Sequence, residues 1–394
     1  MAANPGMNGG PLVGIKVLDL SNVGPGARCA RMLADFGASV TRIVPPARKG
    51  GHRIEAPYHA YGGGRGWLKV VLDMKAEPGR ELFFQLAAQA DVVVESFRPG
   101  VAARLGIDYD AVTRVNPRIV YCAISGYGQT GPAAGWVGHD LNYDALAGML
   151  ATTECRIDGA PAMPGLTVAD TAGGGMQAVL AILAALVGRT ATGKGTYLDV
   201  SMTDGVLYLM SMHVDEYLAT GKEPGPGSSL LTGGYACYDL YRTADDRWLT
   251  LAAVESGFFA NVCKALDCEQ WIAQQMDPAA QASIRDAFRA GFARRTRAEW
   301  MAVFSQLDSC VTPVNSIAEV VDDPQFQARG AFIDVEHPEH GRYRQLGPLL
   351  AGAAPVTGTV KLPSGSATDT EAVLAEIGVD ANQYRALAAA GIVG

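Results

Sequence analysis

Cysteine pairing, long apolar runs and a complete dinucleotide fingerprint are all missing from this chain. The seven cysteines, Cys29, Cys122, Cys155, Cys237, Cys263, Cys268 and Cys310, are odd in number and never fall in CxxC spacing. Neither a disulfide framework nor a thiolate metal site is therefore expected, and no metal is assigned. Free thiols fit a reducing, cytoplasmic compartment. No uninterrupted apolar run of about 18 residues occurs, so a soluble chain with no membrane span is expected. The first ten residues lack the basic head and apolar core of a secretory signal. Charge is scarce, at 18% of 394 residues, and the net balance of -8 argues against a general nucleic-acid binder. An anionic ligand would need a local basic patch.

What the chain has in quantity is apolar residues, 48% of the total, enough to bury the cores of two domains. Residues 14–20 read as a buried strand, 23–26 as a glycine-rich turn, 27–36 as a helix and 38–44 as a second strand. Cys29 stands where GxGxxG would put its third glycine, so the turn is only a partial fingerprint. What survives is a place where amides approach a phosphate or a tightly packed chain. Strands at 67–73, 90–95, 119–124 and 196–200 alternate with helices, which calls for an α/β fold with a Rossmann-like parallel sheet and ligand loops at the strand C-termini. The loop 45–66 carries Arg48, Lys49, Arg53 and Arg65, either a solvated surface or a place for phosphates. A Gly, Pro and Ser stretch at 221–234 marks a boundary between a large domain, 1–220, and a smaller α+β domain, 235–330.

Only six histidines exist, and one of them, His139, stands between Gly138 and Asp140 where a loop gives way to a helix. Asp170 precedes an Ala-rich helix read over 172–187, a position where Asp serves as an N-cap and where the helix end favours its anion. Gly173 to Gly175 follow, with amides that could hold an enolate oxygen. Each residue alone has a bland reading, a surface histidine and a capping carboxylate. Together an imidazole and a carboxylate are the parts needed to remove and return a proton at a carbon beside a carbonyl. Glu255, after the apolar strand read over 249–254, is by itself a surface or helix-start residue.

These residues sit in motifs that resemble the class III CoA-transferase (CaiB/BaiF) family, and within it the α-methylacyl-CoA racemases. The motifs are 17–19 with 23–26, LADFGASVTRI at 33–43, FRPGVAARLG at 97–106, ISGYGQTGP at 124–132, GHDLNY at 138–143, 170–175, GKGTYLDVSMTD at 193–204 and 310–314. The resemblance implies a large CoA-binding Rossmann-like domain, a smaller domain, a C-terminal segment, 331–394, that returns to the large one, and two chains interlocked as a homodimer. It implies phosphate contacts from Arg42, Arg98 and Arg104, an adenine and ribose site near Val23, Leu72, Met74 and Lys75, and substrate contacts from Asp140, Tyr143, Gly173 and Gly174. Guanidinium forks suit phosphate oxygens. Residues 64–69, GRGWLK, depart from the family's usual basic pattern at the adenine end.

The transferase branch uses an aspartate at the position of Asp170 as the nucleophile that forms an acyl anhydride. The racemase branch uses it as a base, opposite a histidine at the position of His139 supported by a glutamate at the position of Glu255. Both partners are present here, although Ser256, Gly257 and Phe258 follow the glutamate where racemases carry Pro, Gln and Phe. The expectation is an isomerase inverting C2 of a 2-methyl-branched acyl-CoA by two-base proton transfer, histidine serving the S form and aspartate the R form. A CoA-transferase is the alternative. Coenzyme A enters as part of the substrate, and no further cofactor is expected.

Overall fold

The computed structural model describes residues 9–21, 24–46 and 64–394. Two compact units divide them: one takes the described residues up to Met149, then Pro164–Ser211 and Gln325–Gly394; the other takes Leu150–Met163 and Met212–Pro324. The chain thus leaves the first unit at Ser211, ahead of the 221–234 stretch, and rejoins it at Gln325 instead of 331. The run 202–220, which reads as one helix, breaks at Met210 into α7 and α8, as defined below. The excursion at 150–163, closed by a bridge between Cys155 and Pro161, has no compositional mark.

The first unit opens with β1 (Lys16–Asp19), α1 (Pro25–Asp35), β2 (Ser39–Val44), β3 (Trp67–Val71), α2 (Glu77–Ala87) and β4 (Val92–Glu95). It continues through α3 (Val101–Leu105), α4 (Tyr109–Thr113), β5 (Val120–Ser125) and α5 (Asp140–Leu146). After the excursion, a π-helix over Ala169–Met176 runs directly into α6 (Gln177–Thr192), then β6 (Thr196–Ser201) and α7 (Met202–Leu209). The six strands form one parallel sheet in the order β3-β2-β1-β4-β5-β6. That is the doubly wound order, and its strands are short Val- and Ile-rich runs because both faces are covered. Every residue of β4 and β5 is buried. One core, with Val17, Leu33, Val94, Cys122 and Ile182, lies beneath α1 and α6; a second, with Leu18, Val70, Phe83 and Tyr121, lies on the other face. The order reverses between β1 and β4, so their C-terminal ends splay apart at a topological switch point.

The edge strand β3 is covered by the chain's end. Asp369 Oδ2 accepts from the Lys69 amide at 2.8 Å, Thr370 Oγ1 accepts from the Val71 amide at 3.0 Å, and Leu72 bridges Val393. Arg65, which reads as a loop cation, is instead wholly buried, its guanidinium bonded to Asp35, Gln345 and the Leu346 carbonyl. Its loop companions Arg48, Lys49 and Arg53 lie outside the described residues.

The helical run Ala169–Thr192 is long and apolar enough to cross a bilayer, with mean hydropathy 1.6. No 18-residue apolar stretch announces it, because Asp170, Gln177 and Arg189 punctuate the run. Ala178, Val179, Ile182 and Leu186 on one side belong to the core under the sheet, and Leu180 and Val187 on the other are exposed.

The second unit holds α8 (Ser211–Thr220), the antiparallel strands β7 (Tyr238–Arg242), β8 (Trp248–Ala252) and β9 (Val311–Pro313), and the helices α9 (Ser256–Ala265), α10 (Gln281–Phe292) and α11 (Arg297–Phe304). Its core is aromatic: Tyr241, Phe259, Phe288, Phe292, Trp300 and Phe304 meet ring to ring at centroid distances of 5.0 to 5.8 Å. All seven cysteines of the protein are free thiols.

Candidate active site

A cavity of about 930 Å³ opens at the switch point, within the first unit. Leu20 beyond β1, Ser96 to Pro99 beyond β4 and Ile124 to Tyr127 at the end of β5 supply its floor and walls. Gly24, Pro25 and Arg28 at the head of α1, the loop from Ala134 to Gly138, and Thr167 and Met202 complete it. His139 and Asp170 both line it.

His139 is the residue before the first turn of α5, in extended conformation, and is exposed. Its amide donates to Asn142 Oδ1 at 3.0 Å, so the Asn142 side chain secures the helix start. Tyr143, one turn on, donates its hydroxyl to the Gly138 carbonyl at 2.5 Å and packs edge-on against Tyr127, which in turn meets Trp136. These bonds hold the strand-to-helix loop in place, and the three rings give the cavity an aromatic wall. Burial and the neighbouring Tyr127 raise the Tyr143 hydroxyl to about 12, so it stays a neutral donor.

Asp170 is not the helix cap that its sequence position suggests. The helix starts at Ala169, Val168 stands at the cap, and the second-position Asp170 turns its carboxyl toward the cavity, beside Gly24. Gly24 has φ +73°, a conformation that favours glycine, and a Cβ there would stand 3.5 Å from Asp170 Oδ2, in ordinary contact with it. The expected stabilisation of the anion is reversed: burial and the nearby Asp140 carboxylate raise Asp170 above its ordinary range, with Arg28 and His139 opposing. A carboxyl lifted in this way is suited to both taking and giving a proton.

The glycines are also placed otherwise than expected. Gly173 and Gly174 are buried and do not line the cavity. A Cβ on Gly173 would stand 2.7 Å from the Met202 carbonyl, one on Gly174 would stand 2.8 Å from Pro25 Cβ, and one on Gly205 would stand 2.1 Å from the Gly173 carbonyl. They let the π-helix lie backbone to backbone against α7 and against the head of α1. A π-turn inside a helix is uncommon and tends to mark functional sites. The Asp170 amide is engaged as well, donating to Asp140 Oδ1 at 2.8 Å. Asp140 therefore serves through Asp170 rather than by lining the cavity.

Of the three arginines assigned to phosphates, Arg98 lines the cavity. Arg42 on β2 is paired in register with buried Asp19 and lays its guanidinium over the Trp67 ring at 5.4 Å. Arg104 is exposed near the end of α3, its guanidinium folded back over Gly100. At the adenine end, Leu72 is wholly buried and Met74 nearly so, which leaves their side chains little surface for a ligand, while Lys75 is exposed. Val23 lies outside the described residues. Glu255 is exposed at the head of α9 in the second unit, near Cys310. Arg28 went unnoticed in the sequence; its place a turn after a Gly-Pro-Gly entry to a helix under a switch point was the available signal.

Glu95 ends β4 beneath the Ser96–Pro99 wall. It is buried, and its Oε2 accepts from the Phe97 amide at 2.6 Å, which shapes the loop that carries Arg98. Burial pushes its carboxyl up to about 7 against that bond. A carboxyl whose folded value exceeds its unfolded value stabilises fully below the unfolded value and loses that contribution as pH rises through the folded one. The melting temperature should therefore fall between pH 5 and 8, and Glu95→Gln should flatten the fall by up to about 3 kcal/mol, measured by thermal denaturation across that range.

The chain matches CoA-transferase family III over residues 12–364. It is 36% identical over 368 residues to the α-methylacyl-CoA racemase of Homo sapiens, covering 93% of each chain. It is 30% identical to the acetyl-CoA:oxalate CoA-transferase of Acetobacter aceti, covering 82% of this chain and 86% of that one. The crystal structure of a CaiB/BaiF family protein from Brucella suis aligns with a TM-score of 0.77 at 27% identity, over 94% of this chain and 100% of that one. The matched region contains the parallel sheet, the switch-point cavity and both of its candidate proton-transfer residues: the chain belongs to CoA-transferase family III.

Proposed function

We propose that the protein is an acyl-CoA racemase that inverts C2 of 2-methyl-branched thioesters. The observation that carries this reading is the presence of His139 and Asp170 in the lining of one cavity, the imidazole exposed and the carboxyl raised. A thioester carbonyl acidifies the neighbouring C–H only modestly, so one group must remove the proton while the developing enolate is stabilised, and the other must return a proton to the opposite face. With the glycine amides packed against α7 and α1, the charged groups of the cavity that favour the enolate are Arg28 and Arg98. The Tyr127, Trp136 and Tyr143 wall, with Met202 and Ile124, offers an apolar face for a branched acyl chain. Coenzyme A is carried in with the substrate, and the reaction calls for no metal or redox group. The role of Glu255 as the imidazole's partner rests on the family resemblance. A homodimer belongs to the same reading, supported by the exposed Leu180 and Val187 on α6. So does a cytoplasmic location, supported by the free thiols.

A CoA-transferase is the second reading, favoured by transferases at 30% and 31% identity. There the Asp170 carboxylate attacks the thioester carbonyl, and CoA thiolate departs to leave an acyl anhydride. The thiolate then attacks the Asp170 carbonyl, releasing the first acid and leaving an aspartyl-CoA thioester. A second carboxylate attacks that thioester to give a new anhydride, which the thiolate cleaves to the new acyl-CoA, freeing Asp170. Incubating the protein with one epimer of a 2-methylacyl-CoA in deuterated water separates the two. Deuterium at C2 together with loss of stereochemical purity is the expected result. CoA exchange into an added carboxylic acid with C2 untouched would overturn the racemase reading.

A further inference from the structure

Asp144 is a buried carboxyl that neither reading uses. It lies on α5 one turn beyond Asp140 and is fully buried, and neither of its oxygens has a donor at hydrogen-bond distance. The groups beside it are the Asp140 carboxyl and the Ala169 amide. Asp140 in turn holds the Asp170 amide through Oδ1 at 2.8 Å. Asp140 is half-buried one helical turn away, and a buried carboxyl beside a second carboxyl is held toward its protonated form. Among the described residues, no lysine or arginine acts on Asp144 to replace that proton. Its own helix presents Asp140, with His139 at the head and Tyr143 alongside, and the π-helix presents Asp170. The titratable residues of α7, which packs on α5, are Asp204 and Tyr208, and both are exposed to solvent.

We propose that Asp144 is a positioning residue for Asp170: in its protonated form it donates its hydrogen to Asp140, fixing the carboxylate that anchors the Asp170 amide and limiting the negative charge beneath Asp170. The reading of Asp170 as a proton-transfer group underlies the kinetic part of this inference. Burial and the Asp140 carboxylate lift Asp144 to about 7, which places the loss of the shared proton within the working range. When the proton leaves, two carboxylates oppose each other, Asp140 swings off the Asp170 amide, and Asp170 is left under added negative charge.

The test combines two readouts on the full chain. The pH profile of C2 deuterium incorporation is measured for the wild type, Asp144→Asn, whose amide donates at every pH, and Asp144→Leu, which has no donor. Activity of the wild type should fall as pH rises through about 7, Asp144→Asn should lose that limb, and Asp144→Leu should be slower by about tenfold or more across the range. Carboxyl-carbon NMR of aspartate-labelled protein reports independently of turnover. The wild type should show one more carboxyl titrating well above the ordinary range than Asp144→Asn, which keeps the raised Asp170. If the wild type incorporates no deuterium, the racemase reading fails while the NMR titration still decides the proton sharing. A pH profile unchanged in Asp144→Asn, an Asp144→Leu as active as the wild type, or no high-titrating carboxyl that Asp144→Asn removes would overturn the proposal.

Discussion

Replacing His139 by alanine is expected to slow epimerisation of a 2-methylacyl-CoA by about 10²–10⁴-fold, the range spanned by a single acid–base group, with CoA affinity retained. The backbone should tolerate the change, because the start of α5 is secured by the Asn142 side chain and by the bond from Tyr143 to Gly138. Asp170→Asn should cost a similar factor, since the amide keeps the shape and packing of the carboxyl but neither takes nor gives a proton at working pH. The informative result is the asymmetry between the two variants. If the bases face opposite sides of C2, each variant should retain slow deuterium exchange from only one epimer, the one served by the surviving base, and should do so without inversion. Residual exchange from both epimers at equal rates, or full activity in His139→Ala, would end the two-base account. Because the Asp170 carboxyl is raised by burial and by Asp140, the direction that uses it as a base should gain as pH climbs through its value, until the Asp140–Asp144 pair gives up its own proton.

The parallel sheet was legible because β1 to β6 are short apolar runs with β-branched residues, each followed by a turn and most by a helix, and such runs leave few alternatives. His139 and Asp170 were legible as chemistry because they break apolar or glycine-rich surroundings. Their surroundings were not. A triplet of glycines reads as a loop or an amide nest, whereas Gly173 to Gly175 are small because α7 and the head of α1 press on them, a demand made by residues about thirty positions ahead and 150 behind. Asp144 sits in a helix beside other polar residues and reads as part of a wet face; only the packing of α5 against α7 and the π-helix buries it. The split of 202–220 carries no proline or glycine at the break, so periodicity alone ran through Met210.

Arg65 gives the largest expected effect on stability. Its side chain is fully buried, with one terminal nitrogen 3.1 Å from Asp35 Oδ1 and the other donating to Gln345 Oε1 at 2.8 Å and the Leu346 carbonyl at 3.1 Å. It thereby joins the last turn of α1 to the strand Gly341–Leu346. Burial and the neighbouring Arg31 lower its pKa to about 10 against the pull of Asp35, so even there it remains charged at neutral pH. Arg65→Met keeps the length of the stem but abandons a buried carboxylate and two acceptors, and breaking a buried pair in this way costs about 3–5 kcal/mol. Asp35 keeps its bond from Arg31 Nε at 2.9 Å, which places the expected loss toward the lower end. Urea denaturation should show the midpoint shifted down with the slope unchanged. Removing both charges, Arg65→Met with Asp35→Leu, should recover part of that loss, because no buried carboxylate is then left facing an apolar stem, while Arg31 gives up its bond to Asp35. The opposite end of α1 carries Gly24 and Arg28 at the cavity, so the single variant should also lose turnover before it unfolds, as α1 slackens and Arg28 withdraws from Asp170. A single variant that melts like the wild type, or a double variant no better than the single, would show that the buried pair does not hold α1 in place.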